Sequence, residues 1–105
     1  MSVEIPIDRV ANQSLSVQLD NNRYDIVIRD IGSAMAIDLS INEESVISGQ
    51  ILVSGSPVIP YEYLEVGGNF VFNTELYDIP YWESFGVNQE LVYVTEQELK
   101  EIRGD

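Results

Sequence analysis

Apolar and polar residues alternate in strand-length runs over most of residues 6–93, and this period constrains the fold more than any other feature. In Gln13–Leu19 and in 23–29, apolar or aromatic side chains recur at every second position, so each run has one face suited to a core. The segment between them, Asp20-Asn21-Asn22, predicts a tight hairpin turn, because Asn and Asp tolerate the positive φ angles that such turns require. The pattern predicts antiparallel β-structure.

Further runs extend this pattern towards the C-terminus. Residues 34–41, 45–53, Asn69–Thr74 and 90–94 each have the length and composition of a strand, and 61–64 is expected to run extended up to a Gly67-Gly68 turn. Gly49 interrupts the second of these runs, which indicates a β-bulge or a close approach of backbone. The spacing predicts a single all-β domain, an antiparallel barrel or sandwich of about six to eight strands.

A short helix is predicted at the C-terminus. Thr95-Glu96-Gln97-Glu98 matches the capping box, in which a threonine side chain caps a helix whose third residue is glutamate. Lys100 and Arg103 near the end of this segment also suit the helix dipole. Because so short a helix is marginal alone, we expect it to order fully only when docked. We therefore divide the chain into an all-β domain, residues 1–95, and a short helix or flexible acidic tail, residues 96–105.

Composition excludes several kinds of chemistry. The 105-residue chain contains no Cys and no His, which removes disulfides, thiolate metal sites and the usual near-neutral acid or base. We expect no metal, no cofactor and no enzymatic activity. Hydrophobic residues make up 45% of the chain, enough for one packed core. No stretch approaches the roughly 20 apolar residues of a membrane span, and the N-terminal residues do not resemble a signal peptide. We expect synthesis and folding in the cytoplasm.

The charge is strongly negative and uneven. The net charge is −13, and twelve of the eighteen acidic residues lie between Asp30 and Leu99, where Lys and Arg are absent. Such a field repels phosphate backbones and anionic membranes and favours basic protein surfaces as partners. A single-strand nucleic-acid binder needs a basic groove beside stacking rings, which this stretch does not supply. The plainer interpretation is a set of acidic solvated faces that keep the protein soluble.

Two acidic patterns have some of the composition of a chemical site. Carboxylate pairs such as Glu62 with Glu65, or Glu75 with Asp78, have the composition of a glycosidase acid and base, but eighteen acids produce such pairs by number alone. Asp20-Asn21-Asn22 lacks the ligand alternation, central Gly and distal Glu of an EF-hand calcium loop. Neither pattern predicts a site.

The loop 77–85 is the first candidate interface, because it concentrates aromatic residues of the kinds enriched where proteins dock. Tyr81 and Trp82 are the predicted anchors. The flanking candidates are Tyr77, Pro80 and Phe85. The alternative is that Trp82 and Phe85 fold back and close one end of the β-structure.

Two further groups complete the candidate interface. Segment 55–60 contributes Pro57 and Pro60. The basic candidates are Arg9, Arg23 and Arg29. These arginines either pair with acids of neighbouring chains or balance the aspartates adjacent to them, and an exposed pair of the second kind contributes only about 0 to 1 kcal/mol.

Several short motifs, taken in order and spacing, carry a family resemblance over about residues 4–94. In the first part they are Ile5-Pro6, Asn12-Gln13, Ser16-Val17, Leu19-Asp20, Arg23-Tyr24-Asp25-Ile26 and Ile28-Arg29. The later ones are Ile37-Asp38-Leu39, Ile47-Ser48-Gly49, Leu52-Val53, Gly55, Phe70-Val71-Phe72, Asp78-x-Pro80-Tyr81, Phe85-Gly86 and Leu91-Val92-Tyr93-Val94. Together they resemble the small baseplate plug proteins of contractile-tailed phages.

This resemblance implies a non-enzymatic structural protein of the virion, seated on the axis of the tail baseplate near the central hub and spike. It implies other baseplate proteins as partners, namely hub, spike and tail tube, in a homo- or hetero-oligomeric assembly without membrane or sequence-specific nucleic-acid binding. An acidic surface along a DNA-conducting channel is compatible with this position, since it lets the polyanion pass. The rival hypothesis is an acidic inhibitor that mimics nucleic acid in the basic groove of a nuclease, which requires carboxylates at phosphate-like separations on one exposed face.

Overall fold

The computed structural model describes residues 3–75 and 79–104. Within these ranges the chain forms seven β-strands and one α-helix. The elements are β1 (Val3–Ile5), β2 (Gln13–Leu19), β3 (Asn22–Asp30), β4 (Met35–Ile41), β5 (Glu44–Ile51), β6 (Asn69–Thr74), β7 (Gln89–Val94) and α1 (Glu96–Arg103). Single 3₁₀ turns at Glu62–Leu64 and Trp82–Ser84 lie in the loops on either side of β6.

The strands form two antiparallel sheets. β2, β3, β4 and β5 are neighbours in chain order in a four-stranded sheet, and β7 lies between β1 and β6 in a three-stranded sheet. The two sheets stay separate in the described residues and do not close into a barrel. The predicted all-β fold is therefore confirmed in its sandwich form.

Two hairpins of the four-stranded sheet turn through two residues with positive φ. Asp20 and Asn21 have φ of 49° and 65°, with Leu19 paired to Asn22 on either side. A two-residue turn of this kind matches the twist of the flanking strands. The tight turn predicted from Asp20-Asn21-Asn22 is therefore present. Asn42 and Glu43 form the second turn, with φ of 52° and 71°. That turn places a glutamate in a conformation that side chains disfavour.

Gly49 marks a β-bulge, as its position in the sequence indicated. The register between β4 and β5 shifts around Asp38, and Gly49 has a φ of 67°. The Asp38 carboxylate accepts hydrogen bonds from the Gly49 backbone N–H at 2.6 Å and from the Arg29 guanidinium at 3.0 Å. Asp38 thus supplies the acceptor that the interrupted ladder does not give this N–H.

The inner faces of β3 and β4 are almost completely buried. Their buried side chains are Tyr24, Ile26 and Ile28 of β3 and Met35, Ile37, Leu39 and Ile41 of β4. From the three-stranded sheet, Phe70 and Phe72 of β6 and Leu91 and Tyr93 of β7 face them. The side chains at every second position of these strands therefore form one core between the two sheets.

Three aromatic rings join the two sheets. The ring centroid of Tyr24 on β3 lies 5.2 Å from that of Phe70 on β6 and 5.5 Å from that of Tyr93 on β7. The Tyr93 hydroxyl donates to the Asp20 carboxylate at 2.7 Å and accepts from the Gly68 backbone N–H at 2.8 Å. Burial raises the pKa of the Tyr93 hydroxyl well above its ordinary value of 10.0, with the bonds to Tyr24 and Asp20 adding to this effect. The hydroxyl therefore remains protonated and keeps donating.

Segment 61–64 differs from the sequence prediction, because it forms the 3₁₀ turn Glu62–Leu64 and not an extended run. The space beside β6 is already filled by residues 54–58, which bridge to it at Ser54 and Pro57. The Val58 N–H donates to the Phe70 carbonyl at 2.8 Å. With no strand edge left to pair with, the following residues tighten into a turn that satisfies their own N–H groups.

The predicted capping box is present at the start of α1. The Glu98 backbone N–H donates to the Thr95 hydroxyl at 3.2 Å, and the Thr95 backbone N–H donates to the Glu98 carboxylate at 3.1 Å. The backbone bond from Thr95 lowers the pKa of Glu98. The helix ends at Gly104, whose φ of 78° is the left-handed conformation that glycine adopts without strain. Residues Glu96–Arg103 thus form the predicted short helix.

Gly68 offers a direct test of the packing between the sheets. A Cβ at this position would lie 2.1 Å from the Val94 carbonyl oxygen and 2.6 Å from Cζ of Tyr93. Gly68→Ala should therefore reduce the free energy of unfolding, measured by urea denaturation, by about 3 kcal/mol or more. Gly67→Ala is the comparison and should cost less, because the nearest neighbours of its Cβ would be side-chain atoms at 3.1 to 3.3 Å. Equal losses in the two variants would contradict this account.

Candidate interaction surfaces

The loop 79–88 is held in a defined conformation by one buried amide. The Gln89 side chain accepts a hydrogen bond from the Tyr81 backbone N–H at 2.8 Å and donates to the Ile79 carbonyl at 3.0 Å. Gln89 is almost fully buried, and its backbone carbonyl accepts from the Gly86 N–H at 2.8 Å. Because both ends of the loop are tied to β7, the loop presents a preformed surface.

The aromatic residues of this loop divide between core and surface. Phe85 is only 2% exposed and packs against Phe72 with ring centroids 5.3 Å apart, and Pro80 is buried as well. These two residues offer no side-chain surface to a partner, and for Phe85 this fits the alternative interpretation, in which the side chain folds back onto the core. Trp82 is half-buried against the core, whereas Tyr81 is 38% exposed. Tyr77 lies outside the described residues.

The three arginine candidates all contact their own chain. Arg9 donates from Nε to the backbone carbonyl of Glu83 at 2.7 Å, which ties the N-terminal segment to the aromatic loop. Arg23 pairs with Asp25 at 3.3 Å, and Arg29 pairs with the aspartate of the β-bulge. Since all these groups are partly exposed, the pairs are worth little for stability. The contacts favour internal charge balance as the role of Arg23, which pairs with the adjacent Asp25 as expected, and of Arg29, whose partner is Asp38 of β4 and not the expected Asp30.

A second aromatic surface was missed by sequence analysis. Tyr61 and Tyr63 are 57% and 81% exposed, and their rings stack with centroids 5.6 Å apart and planes 21° from parallel. Pro57 and Pro60, which were predicted as interface residues, are exposed in the segment just before them. The available signal was two tyrosines, one residue apart, directly after a proline. In the extended conformation expected for this segment, Tyr61 and Tyr63 would share one face of a strand, so the sequence did not indicate that both are exposed.

A chain of hydrogen bonds connects this aromatic pair to α1. The Arg103 guanidinium donates to both carboxylate oxygens of Glu65 at 2.8 Å. Asn69 donates from Nδ2 to Glu65 at 2.6 Å and to the Ile59 carbonyl at 2.9 Å, while the Ile59 N–H donates to Asn69 Oδ1 at 3.0 Å. The bonds therefore run from the helix through β6 to the segment that precedes the exposed tyrosines.

Glu65 is held ionised by these contacts. Burial alone would raise the pKa of this carboxyl, but the hydrogen bonds from Arg103 and Asn69 outweigh burial and hold the pKa below its ordinary value of 4.5. A carboxylate oxygen of Glu62, the other acid of the candidate pair, lies 3.7 Å from a nitrogen of the same Arg103 guanidinium. A carboxylate with a lowered pKa is a poor general acid. The pair Glu62 and Glu65 is therefore a clasp for Arg103.

The other acidic pattern also has a structural role, since the Asp20 carboxylate accepts from Tyr93 and, at 3.4 Å, from the Glu96 backbone N–H. Among residues 3–75 and 79–104, no group of three or more His, Cys, Asp or Glu residues is arranged to hold a metal ion. In the same part of the chain no helix is long and apolar enough to cross a membrane. Asp78, of the second carboxylate pair, lies outside it.

Comparison with known proteins identifies the family. The family model described as cyanophage baseplate Pam3 plug gp18 matches residues 2–96. The chain belongs to this baseplate plug family. The plug is accordingly a structural component of a phage tail baseplate, as the sequence resemblance implied. The match ends at the first residue of α1. A comparison with curated proteins finds no match.

Substitutions that shorten single side chains of the aromatic loop should show which of them belong to the core of the plug and which to its surface. Phe85→Ala removes a buried ring and should cost about 3 to 5 kcal/mol of unfolding free energy, with Trp82→Ala costing less because the indole is half-exposed. Tyr81→Ser removes a partly exposed ring whose centroid lies 5.9 Å from that of Trp82, and it should cost the least, about 1 kcal/mol. Thermal and urea unfolding of the three variants measure the order. A large loss for Tyr81→Ser would make that residue part of the core.

The clasp predicts a specific pH dependence. Because the pKa of Glu65 is lower in the folded plug than its ordinary 4.5, its ionised form stabilises the fold above about pH 4.5, and this contribution is lost as the pH falls through the lowered value. Glu65→Gln and Arg103→Gln should both flatten the decline of unfolding free energy below pH 4.5. At neutral pH, Arg103→Gln should cost roughly 1 to 3 kcal/mol.

Urea denaturation over a range of pH measures this effect. Gln97→Ala, an exposed change on the same helix, is the control and should keep the wild-type dependence. Identical pH curves for wild type, Glu65→Gln and Arg103→Gln would show that the clasp contributes nothing.

Proposed function

We propose that the plug is a non-enzymatic subunit seated on the axis of the baseplate of a contractile-tailed phage, near the central hub and spike. It is made in the host cytoplasm and acts in the virion by shape and charge. The observation that carries this proposal is the family match over residues 2–96, a range that includes every strand described above. The proposed partners are the hub, the spike and the tail tube.

The construction of the domain supports a mechanical role. The loop 79–88 is tied to β7 through Gln89, the N-terminal segment is tied to that loop through Arg9, and α1 is tied to β6 through Arg103. Loops fixed in this way present their surfaces without an ordering cost on binding. A part that must fill a defined space in an assembly benefits from that rigidity.

Two surfaces are proposed to contact neighbours. The first is formed by Tyr81 and the exposed part of Trp82, and the second by Tyr61 and Tyr63 with the adjacent prolines Pro57 and Pro60. Tyrosine and tryptophan provide large contact area with few rotatable bonds, which makes them frequent anchors of interfaces. The net charge of −13 favours basic surfaces on the partners and lets DNA pass without binding.

The rival hypothesis, mimicry of nucleic acid, has less support. Its requirement is a set of carboxylates at phosphate-like separations on one exposed face. On the outer face of the four-stranded sheet, Asp25 is paired with Arg23 and Asp38 with Arg29. Ser16 also donates its hydroxyl to Asp25. Carboxylates balanced by arginines do not reproduce the field of a phosphate backbone.

Reconstruction of tails by cryo-electron microscopy tests the proposed position. Phage lacking the gene, complemented with the wild-type plug, should show density on the baseplate axis that fits a domain of 37 × 31 × 21 Å. Without complementation this density should be missing. Density that persists without the gene, or tagged protein found away from the axis, would refute the position.

Complementation with variants tests the first surface. Tyr81→Ser should lower the occupancy of the axial density without unfolding the isolated protein. Ile102→Ser is the matched control, because Ile102 is 75% exposed on α1, beyond the family-matched range. Equal occupancy for both variants would remove Tyr81 from the interface.

A further inference from the structure

The outer edge of β2 lacks the features that protect the other sheet edges of the plug. β1 is only three residues long, β5 is interrupted by the bulge at Gly49, and the outer edge of β6 is covered by residues 54–58. β2 runs regularly for seven residues, and its sequence QSLSVQL contains no charge, proline or glycine. Exposed regular edges of this kind pair readily with another strand, and natural proteins normally disrupt them.

The backbone groups available at this edge follow from the register. In β3 the N–H and C=O groups of odd-numbered residues face β4, since the Arg23 carbonyl accepts from the Asn42 N–H at 2.8 Å. The even-numbered residues therefore face β2, where Tyr24 pairs with Val17 and Ile26 with Leu15. The outward-facing groups of β2 are those of Ser14, Ser16 and Gln18. These N–H and C=O groups have no protein partner in the described residues.

The inner face of the same strand is incompletely covered. Leu15, Val17 and Leu19 pack against the core but are only half-buried, whereas the inward residues of β3 and β4 are almost fully buried. A strand added beside β2 with apolar side chains at alternate positions would cover these three residues. Its backbone would at the same time satisfy the outward-facing groups.

We propose that the edge of β2 accepts an extended segment from another baseplate protein, which continues the four-stranded sheet as a fifth strand. The segment has apolar residues on the face towards the core and basic residues on the other face, which the net charge of −13 of the plug favours. This proposal rests on the function proposed above. A second copy of the plug is the less favourable occupant, because each copy carries −13 and β2 offers no charge to offset their repulsion.

A synthetic peptide of alternating valine and lysine, with both ends blocked, tests the edge on the isolated plug. Nuclear magnetic resonance of the labelled protein should show slower amide exchange at Ser14, Ser16 and Gln18 on addition of the peptide, by about tenfold or more, because these N–H groups become hydrogen-bonded. Leu15 and Val17, already bonded to β3, should change little. A peptide of the same composition with its valines and lysines in separate blocks controls for attraction by charge alone.

Proline variants on the two edges of the same sheet supply the matched comparison. Ser16→Pro removes an outward-facing N–H and should weaken peptide binding by roughly tenfold, about 1.4 kcal/mol. Ser45→Pro does the same on the bulged edge of β5 and should bind as wild type. Ser16→Ala, which loses only the hydroxyl bond to Asp25, should also bind as wild type. Thermal unfolding of each variant verifies that it is folded.

The outcomes separate this proposal from the proposed position in the baseplate. Equal binding by the Ser16→Pro and Ser45→Pro variants, equal binding of both peptides, or no protection at Ser14, Ser16 and Gln18 would overturn the edge as an acceptor. Protection of the same amides in the concentrated plug without peptide would identify a second copy as the occupant and overturn the assignment to another protein. Neither result bears on the axial density, which the reconstruction measures independently.

Discussion

The contact of Tyr24, Phe70 and Tyr93 is the interaction on which the rest of the structure depends, because it is where the two sheets meet. Each ring is almost fully buried and lies within 5.5 Å, centroid to centroid, of the other two. Two of the three pairs are edge-to-face and one is tilted, and such pairs each contribute about 0.5 to 1.5 kcal/mol beyond the burial of area. The Tyr93 hydroxyl then extends the contact to the β2–β3 turn and to Gly68, so sheets, turn and loop share one anchor.

Several carboxylates of this acidic domain also stabilise its structure. Glu65, whose side chain is only 6% exposed, is bound by a guanidinium and an amide, and Asp20 and Asp38 accept backbone and side-chain donors at a junction and a bulge. These contacts fix the positions of the C-terminal helix, the β2–β3 turn and the β-bulge. The family match identifies the chain as a structural component of a phage baseplate.

The sequence predicted those features of the structure that depend only on residues close together in the chain. The Asp20-Asn21 turn, the Gly49 bulge and the Thr95 capping box each depend on residues within a few positions of one another. The 3₁₀ turn at Glu62–Leu64 was not predictable, because it forms only where another segment has already filled the edge of β6. Phe85 and Tyr81 are both aromatic residues of one loop, yet Phe85 lies in the core and Tyr81 is exposed at the surface. The sequence of the loop did not distinguish them.

The sequence by itself determined the class of fold, most strand positions and the family, since a two-residue period, turn residues and the order of motifs are properties of the linear chain. Only the tertiary structure decided that the strands form a sandwich, that Arg103 clasps Glu65 across 38 residues, and that β2 is left with an open edge. The physical reason is that burial and edge pairing depend on which distant segments occupy the neighbouring space, and no local pattern encodes that occupancy.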